Sequence, residues 1–221
     1  MAQTERLHLI IGNKNYSSWS LRPWLAMRLF KIPFEETVIP LDQPDTAEKI
    51  RRFSPSGRVP FLMGETVRIW DSLAICEMLN EMYPDKKMWP QNLAERAHAR
   101  SISNEMHAGF QTLRNLCPMK VREKFENFDY SAAQPDIDRI SAIWTQCLER
   151  NSQRGPFLFG EPTLADCMYA PVVFRFNTYG VKLNDVCQKY VNHMLSIPAM
   201  KEWAAGAKAE TFAMERYEAK K

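Results

Sequence analysis

LHLIIGNKNYSSWSLRP, residues 7–23, joins two different rhythms. Leu7 to Ile11 is a compact apolar run halted by Gly12 and Asn13, the pattern of a buried strand. Pro23 has no N–H and is tolerated only in the first turn of a helix, so regular helix is expected from near Ser20. Leu21, Trp24, Leu25, Met27 and Arg28 carry that helix to Phe30. Working outward, Glu35 to Leu41 reads as a second strand and Pro44 to Arg52 as a short polar helix. Val59 to Met63 and Thr66 to Trp70 read as two brief strands around Gly64 and Glu65. Ser72 to Met82 is a helix with Leu73, Ile75, Cys76 and Leu79 as its apolar face. The order β-α-β-α-β-β-α implies a partly parallel sheet covered by helices.

This α/β unit is expected to span residues 1–83. Residues 84–92, with two prolines, two lysines and no periodicity, read as a linker. From 93 to 221 strand signals vanish. Leu93 to Leu116 repeats Ile102, Met106, Phe110 and Leu113 at helical spacing, and Pro118 ends or kinks it. Helices are expected at Ile137 to Leu148, Leu164 to Phe176, Val186 to Leu195 and Pro198 to Lys208. The charged tail, MERYEAKK, is expected to fray.

The chain has 221 residues, 45% hydrophobic and 25% charged, enough apolar content to fill a core. Its net charge of +3 is small and scattered, which argues against nucleic-acid binding. No apolar run is long enough to cross a membrane. MAQTERLHLII lacks a basic region followed by a signal core. Five widely spaced cysteines with no CxxC pair speak against disulfides and zinc and for a reducing cytoplasm. Four histidines without short spacing make a metal site improbable.

Chemistry concentrates between Asn13 and Pro23. Ser17, Ser18 and Ser20 sit where a strand gives way to a helix, whose first N–H groups and partial positive charge suit an anion. Their hydroxyls could donate to a thiolate or an oxyanion, or simply cap the helix. Two more segments bear on the choice. SPSGRVPFL, Ser54 to Leu62, opens a strand at Val59 and Pro60; WDSLAI, Trp70 to Ile75, places Asp71 and Ser72 at a strand-to-helix junction. With the serine loop, they resemble the glutathione-binding half of the cytosolic glutathione transferases. GEPTLADCMYAP, Gly160 to Pro171, resembles that family's capped central helix, so the resemblance covers the whole chain.

The resemblance implies a thioredoxin-like N-terminal domain and an all-α C-terminal domain. SSWSLRPWLA, Ser17 to Ala26, is similar to the zeta-type loop SSCSWRVRIA. Ser17 falls on the serine that holds the glutathione sulfur, Trp19 on a cysteine and Arg22 on an arginine. EMHAGFQTLR and PMKVR, Glu105 to Arg122, look like a less characterised bacterial branch carrying SSxSLRPWL. By resemblance Ser17 is the catalytic residue, and Ser18, Arg58, Val59, Pro60, Asp71 and Ser72 bind glutathione. The bond before Pro60 would be cis, Val59 would pair with the cysteinyl backbone, and Asp71 and Ser72 would grip the γ-glutamyl end. Arg58 is equally well read as a solvated arginine. His107, Phe110 and Arg114, at i, i+3 and i+7, are expected with Tyr169, Phe176 and Tyr179 around an electrophile pocket; ordinary helix packing is the alternative. Thr163 and Asp166 read as a capping pair rather than catalytic groups.

The implied function is transfer of glutathione, a co-substrate rather than a permanently bound cofactor, to a small electrophile. The alternatives are a zeta-type glutathione-dependent isomerase and a non-catalytic glutathione-binding protein. A peroxidase or thiol-disulfide activity is a more remote reading. A homodimer is implied, with Glu105 a candidate for reaching the partner's glutathione amino group.

Overall fold

The structure is a computed structural model that describes residues 5–218. Strands β1 (His8–Gly12), β2 (Glu35–Ile39), β3 (Phe61–Met63) and β4 (Arg68–Trp70) form one mixed sheet in the order β2-β1-β3-β4. β2 runs parallel to β1, with His8 opposite Glu35; β3 and β4 are antiparallel, with Leu9 opposite Leu62 and Leu62 opposite Ile69. Successive side chains of β1 point to opposite faces. Leu9 and Ile11 join the main core with α1 (Ser18–Leu29) and α3 (Ser72–Met82), while Ile10 joins a smaller cluster with Ile39, Ile50 and Phe61 near α2 (Thr46–Arg51). The order and the mixed sheet agree with the thioredoxin-like expectation.

The remainder is helical: α4 (Leu93–Ala108), α5 (Gln111–Leu116), α6 (Gln134–Asn151), α7 (Leu164–Thr178), α8 (Asp185–Ser196), α9 (Pro198–Ala209) and α10 (Glu215–Glu218). α7 is buried almost along its whole length, and α1, α4 and α8 pack on it. A helix apolar all round belongs at the centre of a fold. The main hydrophobic cluster therefore runs without a break from β1 through α1 to α7 and α9.

Several local expectations need correction. The helix expected over Leu93 to Leu116 is broken: Phe110 has φ 60° and ψ 43°, and α5 starts afresh after it. The left-handed turn sends the Phe110 ring into the core, and burial of a large aromatic offsets the backbone cost. Residues 84–92 are not featureless, since Met88 and Trp89 are buried and the Met88 carbonyl accepts from the Leu164 N–H at 2.9 Å. The tail does not fray through residue 218. Met214 is buried, Tyr217 packs on Tyr16 with centroids 5.8 Å apart, and residues 219–221 lie outside the described residues. No helix among the described residues is long and apolar enough to cross a membrane.

Candidate functional site

Ser17 is the N-cap of α1, which begins at Ser18, two residues earlier than the proline alone suggested. Its Oγ accepts from the Ser20 N–H at 3.4 Å and donates to Ser20 Oγ at 2.7 Å. Ser20 Oγ in turn accepts from the Gly12 N–H at 3.1 Å, which ties the loop to the end of β1. Ser17 and Ser18, nearly buried, line a cavity of about 330 Å³ between the loop and the helical part.

A second cavity, of about 500 Å³, adjoins it and is lined by Arg58, Val59, Pro60, Trp70, Asp71 and Ser72 among others. The Val59–Pro60 bond is cis. Asp71 caps α3 from a left-handed backbone (φ 74°), and its Oδ1 accepts from the Leu73 and Ala74 N–H groups at 2.9 and 3.3 Å. A non-glycine residue held there is a strained position, of the kind that gathers at ligand sites. Trp19, Val59 and His107 line both cavities and form the seam between them.

The first cavity is cationic. Arg114 and Arg175 line it, and among the described residues no Asp or Glu does. Arg114 reaches back from α5 to the carbonyls of Met106 and Gly109, the latter at 2.9 Å, so it satisfies the end of α4 that the Phe110 turn leaves open. Arg175, buried on α7, donates to the Cys117 carbonyl at 2.5 Å while its Nε finds no partner. Burial, and then the charge of Arg114, lowers its pKa to about 10. Arg22 is wholly buried. It donates to Ser72 Oγ at 3.3 Å, and burial followed by Arg114 and Arg175 brings its pKa down to about 9.

Of the residues expected in an electrophile pocket, His107 and Arg114 line the cavities, but not on a helical ridge, because α4 and α5 are separate. Phe110 and Tyr169 lie in the core instead. Tyr169 is fully buried and donates to the Ile102 carbonyl at 3.1 Å. Phe176 is likewise buried, and the Tyr179 hydroxyl donates to the Pro118 carbonyl at 2.9 Å. Glu105 is held by Arg139 of the same chain in an exposed two-point ion pair at 2.7 and 2.9 Å. Asp166 accepts from the Thr163 and Leu158 N–H groups and the Tyr190 hydroxyl at 2.8–3.0 Å, deep in the core and far from chemistry.

Sequence reading missed Arg175, Tyr16, Gln111, Asn115 and Tyr217, all of which line the first cavity. Arg175 had a signal: it is a lone charge in the apolar run of α7, and a buried charge needs a reason. Tyr16 and Tyr217 had none, because their meeting depends on the tail folding back. Glu210 anchors that return by accepting from the Lys14 and Asn15 N–H groups at 2.6 and 3.1 Å.

This geometry has counterparts. Residues 16–82 match the family model for the glutathione S-transferase N-terminal domain, and residues 123–206 match that for its C-terminal domain. A maleylacetoacetate isomerase of Mus musculus is 35% identical over 174 residues, 76% of this chain and 78% of that one. A probable maleylacetoacetate isomerase of Caenorhabditis elegans is 29% identical over 170 residues, again 76% and 78%. A solved glutathione transferase homologue from Burkholderia gl BGR1, with bound glutathione, superposes with a TM-score of 0.69. It is 20% identical and covers 93% of this chain and 100% of that one. With its sheet, its capped serine loop and both matching halves, this chain belongs to the glutathione S-transferase family.

Proposed function

We propose that the protein is a glutathione-dependent enzyme that joins the glutathione thiolate to a small electrophile bearing a carboxylate. The carrying observation is the placement of Ser17. It caps α1 at the wall of a cavity that holds Arg114 and Arg175, beside a second cavity that ends at the Asp71 and Ser72 cap. Glutathione would lie with its γ-glutamyl amino group on Asp71 and its carboxylate at Ser72 and the N–H groups of α3. Val59 would pair with the cysteinyl backbone, Arg58 and Ser18 would flank the peptide, and the sulfur would face Ser17.

A cysteine-type thiol titrates near about 8.5, and lowering that to about 6.5 needs about 2.7 kcal/mol. A hydrogen bond to a charged group gives about 1.5–3 kcal/mol. A helix N-terminus adds about 0.3–1 kcal/mol. One hydroxyl and one helix end therefore suffice, and Ser17 need not ionise. Turning its hydrogen to the sulfur leaves its oxygen free to accept from Ser20 across the same 2.7 Å contact. The thiolate is the nucleophile. Its lone pair forms the C–S bond while a leaving group departs with its electrons, or while an adjacent carbon takes a proton from water. Arg114 and Arg175 would hold the carboxylate in the first cavity.

A second reading, glutathione-dependent isomerisation, is favoured by the names of the two curated relatives. There the thiolate adds, a bond rotates and the thiolate leaves unchanged. Trp19, in place of the zeta-type cysteine, weighs against carrying that activity over directly. Chromatography coupled to mass spectrometry of products from carboxylate electrophiles and maleyl substrates separates the readings. A glutathione conjugate supports transfer, and an isomer with glutathione intact supports isomerisation. Tight glutathione binding without turnover would mean a binding protein. A two-fold homodimer in the cytoplasm completes the proposal, in keeping with five buried, reduced thiols.

A further inference from the structure

The Trp19 ring is pinned on several sides. The Arg22 guanidinium lies 4.4 Å from its centroid, that of Arg114 lies 4.9 Å away, and the His107 ring meets it edge-on at 5.2 Å. Each neighbour is itself anchored on a different element. Arg22 of α1 is tied to Ser72, Arg114 of α5 to the carbonyls ending α4, and His107 of α4 to Asp71. A half-exposed aromatic ring in the first turn of a helix ordinarily changes rotamer freely; one held by two guanidinium groups and a ring edge does not. Yet Trp19 remains 37% exposed, and that surface is a wall of both cavities.

We propose that Trp19 is the specificity-determining residue of the second-substrate cavity: a fixed wall that limits the bulk a group attached to the glutathione sulfur can have. The inference rests on the glutathione reading above, because the sulfur must sit at the Ser17 end of the seam for the wall to matter. Shortening Trp19 would merge the cavities, and the three anchored neighbours would stay in place to bound the enlarged space.

Calorimetry with glutathione, S-methylglutathione and S-benzylglutathione tests this without relying on turnover. In Trp19→Ala, the affinity ratio of S-benzyl to S-methyl is expected to rise by at least about tenfold over wild type. Trp19→Phe should shift it by no more than about threefold. Should Trp19→Ala fail to fold by circular dichroism, Trp19→Leu serves for the same comparison. Equal loss of affinity for all three ligands, with the ratio unchanged, would show a merely structural tryptophan and overturn the proposal. Absence of glutathione binding to the wild type would instead overturn the functional reading, and this inference with it.

Discussion

Nε2 of His107 lies 3.2 Å from Oδ2 of Asp71, so the last turn of α4 meets the carboxylate that caps α3. Partial burial pushes the Asp71 carboxyl up, but the hydrogen bond and charge of His107 and the Ala74 and Leu73 N–H groups outweigh it, and its pKa is lowered. A carboxyl lowered in the folded state stabilises the protein above the ordinary value of about 4 and ceases to do so as pH falls through the lowered value. Asparagine also caps helices well, so Asp71→Asn removes the charge and largely keeps the cap. Urea unfolding should find wild type more stable than Asp71→Asn at about pH 6, with the gap shrinking as pH falls below about 4. A gap that widens in acid would contradict the pairing.

The same carboxylate is assigned to the γ-glutamyl end of glutathione, at the far end of the ligand from the sulfur. Asp71→Ala and Ser72→Ala should therefore each weaken glutathione binding by about tenfold or more while leaving the pKa of the bound thiol alone. Calorimetry and ultraviolet titration of each variant check the two halves of this statement. Unchanged affinity in both would reduce WDSLAI to a capped helix start.

All five cysteines are buried, and burial pushes every thiol up: Cys76 and Cys147 to about 12, Cys117 to about 11, with Cys167 and Cys187 also raised. A raised thiol holds less thiolate at neutral pH, and thiolate is the reactive form. Dithionitrobenzoate should release fewer than about one equivalent per native chain, and five after denaturation. A fast native equivalent would reopen a cysteine-based reaction.

Asp166, buried and spent on hydrogen bonds within the helical part, is assigned to the fold alone. Asp166→Ala leaves the N–H groups of Leu158 and Thr163 and the Tyr190 hydroxyl without their acceptor. The expected loss is about 3 kcal/mol of unfolding free energy. Glutathione affinity of the folded fraction should not change. Denaturant melts and calorimetry separate the two, and a stable variant with impaired binding would contradict this assignment.

What could be read from the sequence was what local chemistry dictates. LHLII alternates into two cores, and Thr163 with Asp166 caps α7, each fixed by neighbours a few residues away; Pro23 misled, because it sits inside α1 rather than in its first turn. The break at Phe110 was not legible, because a helical repeat continues through it and only the pull of the core on one ring overrides that repeat. The extent of the first cavity was hidden for a related reason. Arg175 and Tyr217 join Ser17 in lining it from distant parts of the chain, and no spacing rule encodes a tail held back by Glu210. His107 and Arg114 do line cavities, but the single helical ridge expected to carry them is split between α4 and α5.

The central claim is that the Ser17 hydroxyl, at the N-terminus of α1, stabilises the thiolate of bound glutathione. Ultraviolet titration of the thiolate in wild type, Ser17→Ala, Ser18→Ala and Ser20→Ala tests it most directly. Ser17→Ala should raise the bound thiol pKa by at least about one unit, worth about 1.4 kcal/mol, with the fold intact. Ser20→Ala should shift it less, since Ser20 acts only through its contact with Ser17, and Ser18→Ala least. A curve that moves for Ser18→Ala or Ser20→Ala while staying still for Ser17→Ala would contradict the account.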